Sequence, residues 1–185
     1  FTFLVGVAAA AVLLVIPAYI YQFKPIKEIV LFGEMIAITA VTMCILFIMV
    51  DLGQPLRILN ILPKPIGMMN FPASIMAWDV IVLSGYLAIN IFLVLYALYK
   101  LSAGKEYKLS LIFPLILLSI PWAVSIHTVT AFLYNGLSAR PFWNASILAP
   151  RFLASAFCSG PALMLIILKL MRKFSKVEID NKTIF

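Results

Sequence analysis

The chain is written as five long apolar blocks separated by short polar punctuation. Residues 1–23 run without charge and are closed by Lys24, Pro25 and Lys27. A second block, 28–50, stops at Asp51-Leu52-Gly53-Gln54-Pro55. Blocks 71–99, 109–133 and 145–171 follow, divided by the polar linker 100–108 and the loop 134–144. Roughly 20 helical residues at about 1.5 Å each cross a bilayer core. Every block reaches that length, so the pattern predicts an all-α, polytopic transmembrane bundle of five spans in a single domain, 1–185. Between the second and third blocks, segment 54–65 is amphipathic and holds Arg57 and Lys64. It is too short to span and is expected to lie along the interface.

Composition sharpens the picture by exclusion. The 185 residues are 64% hydrophobic and 11% charged, against roughly 25% charged in soluble domains. Five spans leave no room for a water-soluble catalytic domain. The net charge of +7 suggests nucleic acid, but the cations sit at block ends, where they act as topology signals. Lipid, not nucleic acid, is the expected surrounding. Cys44 and Cys158 lie inside apolar blocks with no CxxC, and a single histidine cannot make a bis-histidine haem. Neither haem, iron–sulfur cluster nor metal site is therefore expected in this chain.

Orientation follows from the cations. Lys24, Lys27, Lys100, Lys105, Lys108, Lys169, Arg172, Lys173, Lys176 and Lys182 fall on one side; Arg57, Lys64, Arg140 and Arg151 fall on the other. Ten against four puts the first group in the cytoplasm. The expectation is a multi-pass protein of the cell inner (cytoplasmic) membrane, with the end of span five cytoplasmic. Loops 51–69 and 134–144 then face outward. Phe1 opens inside an apolar run with no charged n-region, so the start does not read as a signal peptide, and further upstream sequence is expected.

Glu34, Asp79 and His127 are ionisable side chains that fall within spans. Each costs about 2.5–3.5 kcal/mol on insertion scales and asks for a reason. Asp79 lies about 8 residues from the outer start of span three, roughly 12 Å along a helix. His127 lies about 6 residues before the outer end of span four, roughly 9 Å. Equal depth on two helices is what a shared outward-opening pocket requires. Asp79, Tyr86 and Asn90 share one helical face, as do His127, Thr130 and Tyr134. The plainer alternative is an Asp–His pair that only ties two helices together. Glu34, beside Gly33 on the inner side, reads either as a proton relay open to the cytoplasm or as a neutral, hydrogen-bonded acid. Asp51 and Arg57 flank a Gly–Pro turn and are expected to cap an interfacial helix with a local ion pair. Trp78, Trp122 and Trp143 suit membrane anchoring, and Trp78 beside Asp79 equally suits a pocket wall. Pro114, Pro121 and Pro161 predict kinks.

Three ordered stretches carry a resemblance. Val50-Asp51-Leu52-Gly53-Gln54-Pro55-Leu56-Arg57 resembles the DLGxPxR signature of the NrfD/polysulfide-reductase family of quinone-interacting membrane subunits. Phe71-Pro72-Ala73-Ser74-Ile75-Met76-Ala77-Trp78-Asp79 resembles that family's next motif, and the stretch from Ser138 through Ala156 its connection between spans four and five. The text is most similar to the DsrP and quinone-reductase-complex branch of sulfate reducers. Family members have eight to ten spans in two bundles, so five spans correspond to part of such a protein. The resemblance implies a haem-free subunit that binds menaquinone non-covalently near the outer face. It also implies electron exchange with an extracytoplasmic four-cluster iron–sulfur subunit and further redox subunits such as cytochromes, with proton translocation as a possible accompaniment.

Within that frame the residues take roles. His127, Asp79, Tyr86 and Trp78 are the expected quinone-binding set, His127 holding one carbonyl and Asp79 exchanging a proton. Glu34 and Asn90 are the expected proton-transfer groups, and Arg57 and Arg140 the expected docking cations. No residue is expected to be catalytic, and the chain is expected to be a subunit of a quinone-linked oxidoreductase complex that is not catalytic alone. The rival functions are a proton- or ion-coupled transporter, which would also use Glu34, Asp79 and kinked helices, and a purely structural anchor for redox subunits.

Overall fold

The computed structural model describes residues 1–21, 24–51, 53–62, 67–104 and 109–174. Among them all regular structure is helical: α1 (Thr2–Val15), α2 (Lys24–Asp51), α3 (Ile75–Ser102), α4 (Leu109–Asn135) and α5 (Leu148–Phe174). Five helices are long and apolar enough to cross a membrane. The expected all-α multi-pass bundle is what the chain forms. The side chains of Lys24, Lys27, Lys64, Lys105, Lys108, Lys176 and Lys182, which enter the orientation count, lie outside the described ones.

The boundaries shift for local reasons. Block 71–99 becomes a helix only at Ile75, because Ser74 caps it by accepting from the Ala77 backbone N–H at 3.4 Å. Segment 54–65 forms a 3₁₀ helix, Pro55–Ile61, with Gln54 extended before it and no side-chain cap. Residues 63–65 lie outside the described set. Asp51 and Arg57 are both exposed, and the ion pair expected between them is absent from the described residues. Pro114, Pro121 and Pro161 sit inside unbroken helices. A departure from the α-helical hydrogen-bond pattern comes at Pro17. There α1 widens into a π turn, Ile16–Ile20, closed by the Tyr21 N–H donating to the Ile16 carbonyl at 3.3 Å. Proline has no N–H to give, and a π turn re-routes the freed carbonyl.

α1 is the central helix. Its Val5–Val12 stretch is buried on every side, which four consecutive alanines permit by letting neighbours approach closely. The closest approach is to α5. A Cβ on Gly160 would fall 2.0 Å from the Ala10 Cβ, and one on Gly6 would fall 3.5 Å from the Ala156 Cβ. Gly6 and Ala10 thus face Ala156 and Gly160, two small pairs each four residues apart. On the other flank Trp122 of α4 fills the space above Gly85 of α3 and donates its indole N–H to the Val82 carbonyl at 2.9 Å. That makes Trp122 an interhelical strut.

Candidate functional site

The inward face of α3 carries Asp79, Tyr86 and Asn90, 4%, 1% and 4% exposed. Seven- and four-residue steps bring all three to the bundle axis, as the period requires. The Tyr86 hydroxyl donates to the Ala8 carbonyl of α1 at 3.0 Å, and the Asn90 amide donates to the Tyr86 carbonyl at 2.8 Å. Across from them α4 turns His127 and Thr130 inward, 3% and 1% exposed. The Thr130 hydroxyl donates to Asp79 Oδ1 at 2.9 Å. His127 is tied to no other helix through Nδ1 among the described residues; the backbone of Ala123, one turn back on α4, is within its reach.

Asp79 and His127 border different cavities. One, of about 290 Å³, lies between α1, α4 and α5; His127, Thr130, Ser155 and Ser159 supply its polar wall, and Phe3, Phe142, Trp143 and Phe152 its aromatic one. Arg151 stands in the same lining, its guanidinium 4.7 Å from the Phe142 ring centroid. The other, of about 570 Å³, lies between α2, α3 and α4 and is walled by Phe1, Phe47, Ile48, Val50, Met76, Val80 and Leu133, with Asp51, Asp79 and Tyr134 as its polar groups. Thr130 belongs to the first lining and bonds to the second. An aromatic cluster joins the two at the bundle end: the Tyr134 ring meets Trp143 edge-on at 4.9 Å and Phe152 at 5.8 Å.

The remaining expected site residues fall outside both linings. Tyr86 is committed to Ala8. Trp78 is 41% exposed, donates to the Pro72 carbonyl at 2.9 Å and packs on Phe71. Glu34 is 1% exposed in α2, and neither carboxyl oxygen finds a partner among the described residues. Arg57 and Arg140 are exposed at the end that holds Phe1, with the Arg140 guanidinium 4.8 Å from the Trp143 ring centroid. Ser155, Ser159 and Arg151 are lining residues that sequence reasoning misses. The available signal is the pair Ser155 and Ser159, four apart on one helical face. The arrangement sets a few hydrogen-bonding groups among apolar and aromatic walls.

The chain matches the family described as "Polysulphide reductase, NrfD" over residues 1–185. It is 25% identical over 182 residues to the Hdr-like menaquinol oxidoreductase integral membrane subunit of Archaeoglobus fulgidus, covering 98% of this chain and 43% of that protein. It is also 25% identical over 196 residues to a Halobacterium salinarum protein assigned by inference as a membrane subunit of dimethyl sulfoxide reductase, covering 98% and 44%. A third relative, a selenate reductase subunit of Mesobacillus selenatarsenatis, is 24% identical over 200 residues, covering 89% and 45%. The chain therefore spans less than half the length of these curated relatives. With the motifs around Asp51, Asp79 and Arg140 set on a five-helix membrane bundle, and with the match running from first residue to last, the chain belongs to the NrfD family.

Proposed function

We propose that this bundle is the quinone-handling half of a respiratory redox subunit. It would bind menaquinone or menaquinol near the extracytoplasmic face and exchange electrons with a docked iron–sulfur protein. The observation that carries the reading is His127. It is buried, and with Thr130 it lines a cavity with aromatic walls. Ligand sites are mostly apolar with a few placed polar groups, and volumes of roughly 300–1,000 Å³ are usual. About 290 Å³ suits a flat ring head whose tail lies among lipids.

The residues present fit such a group. His127 would hold one ring oxygen, and Thr130, itself bonded to Asp79 behind it, would stand at the other. A bound quinone supplies two-electron, two-proton chemistry. The protein's part is to hold a proton donor or acceptor within about 3 Å of each oxygen and to exclude bulk water. Tyr86 and Trp78 support this site from outside its lining, by fixing α1 against α3 and by seating the start of α3. Glu34, with Asn90 and Tyr86 stacked toward Asp79, would bring protons from the cytoplasmic side; water in a polar cavity would have to bridge them. Arg57 and Arg140, exposed at one end, would dock the iron–sulfur partner.

The test is His127→Ala in the assembled complex. Menaquinol-dependent electron transfer should fall by about 10²–10⁴, with bound quinone lost and assembly of the complex intact. Crosslinks from residues 54–62 and 135–144 should reach an extracytoplasmic iron–sulfur partner; crosslinks to it from 100–104 would reverse the orientation. One observation favours a second reading. The Thr130–Asp79 and Tyr86–Ala8 bonds are interhelical ties, which a purely structural anchor would also use. Loss of assembly in Asp79→Asn and His127→Ala alike, with normal quinone content in whatever folds, would establish that reading.

A further inference from the structure

We infer that Thr130 is a positioning residue that passes protons between the two cavities, making the Asp79 cavity the proton port of the His127 cavity. The inference rests on the quinone reading above and adds the residue that connects its two halves.

Three observations carry it. Thr130 is 1% exposed and lies one turn from His127 on the wall of the same 290 Å³ cavity. Its hydroxyl is donated across the helix interface to Asp79 Oδ1 at 2.9 Å. Asp79 in turn borders a separate cavity of about 570 Å³ that also contains Asp51, an exposed carboxylate at the bundle end. A threonine on an apolar helix usually returns its hydroxyl to its own backbone, as Thr128 does to the Val124 carbonyl. Thr130 instead spends its donor on a carboxyl of another helix, leaving its oxygen lone pairs for a donor on the His127 side.

The proton balance is simple. With Asp79 as the carboxylate, the Thr130 Oγ1–H bond breaks as an O–H bond forms on Asp79 Oδ1. Oγ1 takes a replacement proton from a donor in the His127 cavity. Asp79 then gives its proton to water in the larger cavity, and the hydroxyl rotates back. One proton crosses the α3–α4 wall, no electron moves, and the sequence runs equally in reverse.

The test uses the complex with its partner proteins and the variants Thr130→Val, Thr130→Ser, Asp79→Asn and His127→Ala. Without any turnover, the infrared carboxyl band that disappears in Asp79→Asn should shift in Thr130→Val and keep its position in Thr130→Ser. With saturating menaquinol, Thr130→Val should slow electron transfer about a hundredfold at unchanged quinone content, and Thr130→Ser should restore it to within about twofold. Full turnover in Thr130→Val overturns the inference, and so does a serine variant as slow as the valine one. If Thr130→Val does not assemble, Thr130→Cys, which keeps the volume and weakens the donor, is read by the same criteria. Quinone retained in His127→Ala overturns the site reading itself, whereas quinone lost there with full turnover in Thr130→Val overturns the relay alone.

Discussion

Asp79 and Glu34 are the two buried acids among the described residues, and the protein treats them in opposite ways. Asp79 accepts a hydroxyl from the next helix and borders a cavity of about 570 Å³. Glu34 is walled in, with no partner for either oxygen among the described residues and with Leu14 filling the space beside Gly33. A carboxyl held by one donor at a cavity wall is poised to exchange protons with that cavity. A carboxyl without partners waits for water or for motion to connect it. The difference is between an acid with a partner and a cavity beside it and an acid with neither among the described residues.

Substitutions that remove only the exchangeable acid proton test the distinction most directly. Asp79→Asn should lower menaquinol-dependent electron transfer in the assembled complex by about 10²–10⁴, with the same set of proteins present on native gels. Glu34→Gln should leave quinone content and electron transfer in place while proton uptake from the cytoplasmic side of reconstituted vesicles slows severalfold. Equal uptake by wild type and variant would leave Glu34 as a structural acid. The smallest effect is on stability. Asp79→Leu strands the Thr130 hydroxyl and should destabilise the bundle by about 1–3 kcal/mol. Glu34→Leu strands nothing and should be near neutral. Thermal unfolding of the two variants in the same detergent compares them, and a Glu34→Leu loss as large as that of Asp79→Leu would reveal a partner for Glu34.

Much of this arrangement is legible in the sequence, because depth is. Counting residues from a span end gives height in the membrane, which is how Asp79 and His127 are placed at one level. Period gives facing, which is how Asp79, Tyr86 and Asn90 are seen to turn inward together. Neither quantity says which helix stands on which side of another. His127 looks toward α1 and α5 while Asp79, on α3, looks toward α2 and α4, and that azimuth depends on neighbour order. The Thr130–Asp79 bond, between residues 51 positions apart, is invisible for the same reason. Tyr86 shows a further limit: its spacing suits a site, yet its hydroxyl is taken by the Ala8 carbonyl. The prolines show that the residue type marks where a backbone bond is missing, but not whether the α-helical pattern is kept there. Pro17 opens a π turn; Pro114, Pro121 and Pro161 do not interrupt their helices.

The close seam between α1 and α5 carries a consequence for how the protein is made. Of these five helices translation delivers α1 first, yet Ala10 meets its neighbour at Gly160 only after the other four have been synthesised. In the interval the α1 face that will meet α5 stays in the membrane without that partner. Alanine and valine are comfortable there, so the wait carries little penalty. Asp79 gains its threonine as soon as α4 is inserted. Assembly can therefore seal the polar centre first and close the ring around α1 last.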